Sequence, residues 1–84
     1  MKLIFSDEAW EDYVYWQRHD KAIVKRINEL IADCMRDPFV GIGKPEPLKH
    51  ALAGFWSRRI NEEHRMVYQA SKDALSIAQL RYHY

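Results

Sequence analysis

Between Lys21 and Arg36, the apolar residues Ile23, Val24, Ile27, Leu30, Ile31 and Cys34 recur at three- and four-residue spacing, while Lys21, Lys25, Arg26, Glu29 and Asp33 lie elsewhere on the wheel. Such a stripe is the buried face of an α-helix, and it must find a second apolar surface. Asp20 is placed to cap this helix. Asp37-Pro38 ends it, because a residue before proline avoids helical backbone. Residues 7–18 read as a preceding helix. Ser6 is its N-cap, and Asp7, Glu8, Glu11 and Asp12 occupy the first turns, where carboxylates favour the positive end of the dipole. Ala9, Trp10, Tyr13, Val14 and Gln17 keep helical spacing. Tyr15 and Trp16 add apolar surface on further sides, to be covered by the core or by a second chain.

The remainder alternates as strands do. Lys2 to Phe5 is a short strand. Gly54 to Ile60, His64 to Ala70 and Ala74 to Tyr84 are three more, joined by the turns Asn61-Glu62-Glu63 and Ser71-Lys72-Asp73. Turns that short require antiparallel hairpins. The order β-α-α-β-β-β predicts an α+β fold, with two N-terminal helices packed on one face of an antiparallel sheet. At 84 residues the chain is expected to form one domain, 1–84, since two halves would each be too small for a core.

Several classes are excluded. Cys34 is the single cysteine, so neither a disulfide scaffold nor a zinc finger is available. Its place on the apolar stripe makes it a small core residue. No apolar run is long enough to span a membrane, and the N-terminus turns acidic too soon for a secretory signal. A cytoplasmic location is therefore expected, with no membrane partner.

The net charge of +1 hides an asymmetry. Residues 1–40 hold six Lys/Arg and eight Asp/Glu, whereas residues 41–84 hold seven Lys/Arg and four Asp/Glu, with three of the four histidines. An excess of positive charge in one half points it toward a polyanion.

Chemistry concentrates in that half. The stretch from Phe39 to His50 has no period and contains Gly41, Gly43, Pro45 and Pro47. In Pro45-Glu46-Pro47 the prolines fix φ and push Glu46 into extended backbone, mounting the carboxylate on a stiff arm between Lys44 and Lys49. A rigid linker with a solvated Glu fits the same residues. Alternation places Arg65 on the strand face opposite Met66 and Tyr68, hence outward, and sets Arg58 and Arg59 on opposite faces. These arginines fit either phosphate binding or solvated edge positions that deter aggregation. The ending Arg81-Tyr82-His83-Tyr84 is rich in groups that stack on bases or transfer protons. Together these are the parts for cleaving RNA without a metal or other cofactor. A base takes the ribose 2′-OH proton, cations stabilise the phosphoryl charge, and an acid protonates the leaving 5′ oxygen. No cluster with metal-ligand spacing is present.

Four blocks carry a resemblance. Gly43-Lys44-Pro45-Glu46-Pro47-Leu48-Lys49, Gly54-Phe55-Trp56-Ser57-Arg58-Arg59-Ile60, Glu63-His64-Arg65-Met66-Val67-Tyr68 and Arg81-Tyr82-His83-Tyr84 resemble YoeB toxins of the RelE superfamily, and the likeness runs the length of the chain. The resemblance implies a microbial ribonuclease-like α+β domain acting as a ribosome-dependent endoribonuclease, which cuts mRNA in the A site of the 70S ribosome and halts translation. It implies Glu46 as general base, His83 as general acid, Arg65 on the phosphate and Tyr84 orienting the cleaved nucleotide. Lys49 matches a basic residue of the active site. Lys44, beside the base, and Arg59 are candidates for RNA or ribosome contact. A YefM-like antitoxin partner is implied, and family members can form homodimers. Ile42 and Phe5 depart from the pattern, which favours a polar or basic residue and a tryptophan at these positions. The rival from another class is a non-catalytic RNA- or ribosome-binding module that blocks translation by occupancy. A degenerate toxin is a third reading, against which the intact Glu46, Arg65, His83 and Tyr84 set stands.

Overall fold

In the computed structural model, which describes residues 1–83, the order is β1 (Lys2–Phe5), α1 (Asp7–His19), α2 (Lys21–Arg36), β2 (Glu46–Pro47), a 3₁₀ turn (His50–Leu52), β3 (Trp56–Arg59), β4 (Arg65–Ala70) and β5 (Ala74–Gln79). Both helices begin as their caps predict. Ser6 Oγ accepts the N–H of Ala9 at 3.0 Å, and it also donates to the carbonyl of Ala78 at 2.8 Å, tying the start of α1 to β5. Asp20 serves two helices. Its N–H closes α1 on the carbonyl of Trp16, while its carboxylate accepts the N–H groups of Ala22 and Ile23.

The strands form one sheet in the order β1-β5-β4-β3-β2. Three features differ from the sequence expectation. The sheet is mixed, because β1 pairs parallel with β5 (Lys2 opposite Ala74, Phe5 opposite Ile77). The long connection that a parallel pair requires is everything between them, α1 and α2 followed by the strands that return across the sheet. A short strand, β2, arises in the aperiodic segment and pairs antiparallel with β3. The last strand stops at Gln79 rather than continuing to Tyr84. It stops because α1 takes both backbone groups of the next residue. The N–H of Leu80 donates to Asp12 Oδ2 at 3.0 Å, and its carbonyl accepts from Trp16 Nε1 at 2.9 Å.

The core lies between helices and sheet. Ala9 and Trp16 of α1 and Ile27, Leu30, Ile31 and Cys34 of α2 pack with Met66, Tyr68, Leu75, Ile77 and Leu80. Cys34 is fully buried, as its place on the stripe predicts, and burial pushes its thiol pKa up. Tyr15 and Trp16 are covered by the chain's own tail: Trp16 is buried, and the Arg81 guanidinium lies 3.6 Å from the Tyr15 ring centroid. Trp10 remains exposed beside Leu3, whereas the exposed Ile4 lies on the other face of β1. Phe5 meets the rings of Trp10 and Tyr13 edge-on. Among the described residues, no helix is long and apolar enough to cross a membrane.

Candidate active site

The sheet register collects the candidate residues. Glu46 stands opposite Ser57, Ser57 opposite Val67, and Arg59 opposite Arg65. Directly opposed residues share a face of the sheet, as do residues two apart on a strand. Glu46, Ser57, Arg59 and Arg65 therefore stand on the face away from the helices, while Met66 and Tyr68 point into the core. Two strand spacings, about 10 Å, separate Glu46 from the backbone of β4, which leaves room for a phosphodiester between them.

Arg59 opposite Arg65 is a cross-strand pair of like charge, an arrangement that destabilises a sheet unless an anion lies over it. The two arginines are held differently. Arg59 is exposed; its N–H donates to the Gly43 carbonyl at 2.7 Å. Arg65 stands on the outward face that alternation predicts, but it is buried there rather than solvated. Its Nη1 donates to the carbonyls of Asn61 at 2.6 Å, His64 at 3.1 Å and Glu62 at 3.3 Å, all from the turn before β4. The face was legible from alternation; the turn that covers it was not.

Arg58 corrects a second expectation. It is fully buried, not an edge arginine. All five N–H donors are used: Nε on Tyr68 Oη, Nη1 on Asp33 Oδ2 and the Ile42 carbonyl, and Nη2 on the carbonyls of Asp37 and Val40. One guanidinium thus organises the segment from Asp37 to Ile42, which forms no sheet or helix of its own. Burial works against its charge, but hydrogen bonds with Tyr68 and Asp33 outweigh this and raise its pKa. The Asp33 carboxyl is held well below the usual carboxylate range by hydrogen bonds from Arg36, the Ile42 N–H and Arg58. Glycine is required where the segment crosses this network, since a Cβ on Gly41, at φ +140°, would collide with the Asp33 carboxylate. Ile42, the departure noted in the sequence, contributes through its backbone.

Beyond Gly43, Lys44 takes φ +51° and the chain enters β2. Glu46 is exposed at this sheet edge, with Lys44 and Lys49 exposed on either side. A depression of about 350 Å³ lies here, lined by Glu46, Pro47, Leu48, Lys49, His50 and Leu52.

The tail approaches from the other side. After Leu80 the chain turns, and Tyr82 adopts φ +67°. The Tyr82 carbonyl accepts the N–H of Arg65 at 3.0 Å, and its own N–H donates to His64 Nδ1 at 2.7 Å. His83 follows, exposed, beside the start of β4. Alternation of Arg81 and His83 against Tyr82 does not hold, because residues 80–83 are not a strand. Tyr84 lies outside the described residues. The fold thus brings Glu46, Arg59 and Arg65 to one face, with Lys44 and Lys49 exposed on either side of Glu46 and His83 emerging next to the start of β4. Sequence reasoning missed His64. Its signal was position: a histidine on the same strand face as Met66 and Tyr68, hence directed inward.

Comparison with known proteins agrees with this geometry. A family model described as "YoeB-like toxin of bacterial type II toxin-antitoxin system" matches residues 5–84. The toxin YoeB of Escherichia coli (strain K12) is 68% identical over 84 residues, covering 100% of both chains. A solved YoeB/ParE toxin from Agrobacterium tumefaciens superposes with a TM-score of 0.97 at 51% identity, again covering 100% of both chains. A heterotetrameric YoeB–YefM complex from Staphylococcus aureus gives a TM-score of 0.92 at 49% identity, covering 100% of this chain and 98% of the other. Family match, identity along the full chain and backbone agreement converge: this chain belongs to the YoeB-like toxins of bacterial type II toxin–antitoxin systems.

Proposed function

We propose that this toxin is a cytoplasmic endoribonuclease that cuts mRNA in the A site of the 70S ribosome, using side chains alone for proton transfer. The observation that carries the reading is the in-register pair of Arg59 and Arg65, on the sheet face that Glu46 shares and beside which His83 emerges. A phosphodiester over the two guanidinium groups would relieve their mutual repulsion and present the neighbouring ribose toward Glu46. Glu46, on its proline-stiffened strand, takes the 2′-OH proton. The oxygen attacks the adjacent phosphorus, forming a 2′,3′-cyclic phosphate and breaking the bond to the 5′ oxygen. Arg65, whose Nη1 is fixed by turn carbonyls, meets the developing charge without rearrangement. His83 donates the proton that the leaving oxygen requires. Tyr84, next in the chain, orients the cleaved nucleotide. Lys44 and Lys49, exposed at the rim, engage RNA or the ribosome. Among the described residues, no group of three His, Cys, Asp or Glu is arranged to hold a metal ion.

A YefM-like antitoxin is the proposed neutralising partner, by analogy with the S. aureus complex. A homodimer is proposed as well, since a YoeB dimer from S. aureus superposes with a TM-score of 0.93 and Leu3 and Trp10 are exposed side by side here.

The test is cleavage on programmed ribosomes, with 5′ ends mapped against the reading frame, for the native chain, Glu46→Gln and His83→Gln. In-frame cuts that both variants lose support the reading. Translation arrest without cuts favours blockade by occupancy, and undiminished cutting by both variants refutes the assigned roles.

A further inference from the structure

His64 is buried and precedes Arg65. Its backbone closes the turn before β4. The N–H donates to Asn61 Oδ1 at 2.7 Å, and the carbonyl accepts from the Ile60 N–H at 3.0 Å and from Arg65 Nη1 at 3.1 Å. Its imidazole binds the tail: Nδ1 accepts the Tyr82 N–H at 2.7 Å. The ring also meets Trp16 edge-on, with centroids 4.8 Å apart. A nitrogen that accepts a backbone N–H carries no proton, so this geometry requires the Nε2–H tautomer. Glu63 Oε1 lies 3.7 Å from Nε2 and favours a proton there. Tyr82 needs such a partner, because an aromatic residue at φ +67° keeps that backbone only when its surroundings enforce it.

We propose that His64 is a positioning residue: its imidazole locks the Tyr82 backbone, so that His83 is presented in fixed register with the Arg65 guanidinium. The proposal rests on the reading of His83 as the general acid. One residue connects the two groups, since its carbonyl holds Arg65 while its side chain holds the residue before His83. Loss of the lock removes one of the two backbone hydrogen bonds that fix Tyr82, leaving only its carbonyl on the Arg65 N–H, and misplacement of the acid by about 1 Å costs on the order of 10²-fold in rate.

Two variants separate positioning from packing. His64→Phe keeps a ring against Trp16 but has no acceptor. His64→Asn loses the ring but carries an oxygen near the place of Nδ1. In single-turnover cleavage on programmed ribosomes, H64F is expected to lose about 10²-fold in rate at unchanged ribosome affinity. H64N is expected to recover most of that loss although it melts lower than H64F. If the two rates instead follow the melting temperatures, with H64F the faster, the proposal is overturned. Hydrogen exchange of the Tyr82 amide gives a readout independent of catalysis. Slow exchange in the native chain and H64N, with fast exchange in H64F, supports the lock. Fast exchange in the native chain overturns it, whether or not H64F folds. A native chain that cuts no RNA but protects this amide supports the lock and refutes the nuclease reading instead.

Discussion

Replacing Arg58 by methionine should damage this protein more than any other single substitution at an arginine. The guanidinium is fully buried and donates five hydrogen bonds. Methionine fills most of the volume and satisfies none of the acceptors. The carbonyls of Asp37, Val40 and Ile42 lose a donor, and the Asp33 carboxylate loses its buried counter-charge. Removing one partner of a buried ion pair costs about 3–5 kcal/mol. A domain of this length has roughly 4–13 kcal/mol in total, from about 0.05–0.15 kcal/mol per residue. At about 4–8 °C per kcal/mol for a small domain, the melting temperature should fall by roughly 12–40 °C. Urea unfolding followed by tryptophan fluorescence measures the difference directly. Adding Asp33→Leu to Arg58→Met should cost less than the two single changes summed, because the second change removes the charge that the first leaves unpaired. An Arg58→Met chain within about 1 kcal/mol of native stability would refute the claim that this guanidinium holds the segment together.

Glu46→Gln and His83→Gln should each lower cleavage by about 10²–10⁴-fold, the usual contribution of a positioned acid or base, with melting curves unchanged. Tyr68, pushed up to about 12 by burial, should make the fold sensitive to alkali. Its folded value is raised above the ordinary 10.0, so the stability it contributes is complete below pH 10 and lost as pH rises toward 12. Tyr68→Phe should flatten that limb of a denaturation profile, and an unchanged limb would assign it to other groups. Trp10→Arg should reduce self-association in sedimentation velocity at high concentration, since it charges the exposed apolar surface that Trp10 shares with Leu3.

What the sequence revealed and what it hid divide along one physical line. The helices were legible because their determinants are local: a capping side chain at Asp20, the stripe from Ile23 to Cys34 and a proline after Asp37. Period-two alternation placed Met66 and Tyr68 inward and Arg65 on the opposite face. It could not tell that Arg65 is covered, because the covering carbonyls belong to an irregular turn. Arg58 and Arg59 differ in the same way. Alternation separates their faces, but only the folded segment supplies the carbonyls that bury Arg58. The end of β5 was invisible for a related reason, since Asp12 and Trp16, far back in the chain, capture Leu80. Glu46 stood out through its flanking prolines, whereas His64 acts through Tyr82, which no local pattern links to it.

The neighbour of β1 in the sheet is β5, so the N–H of Lys2 reaches the carbonyl of Asp73. Pairing of such remote segments defers closure of the sheet until nearly the whole chain is available, and topology of that kind slows folding. During synthesis, the opening strand therefore has no mate until the final hairpin has emerged. The nascent polypeptide holds its arginines, its carboxylate and its imidazole at His83 as separate pieces, so the proposed site is not yet assembled while the chain is still attached to the ribosome producing it.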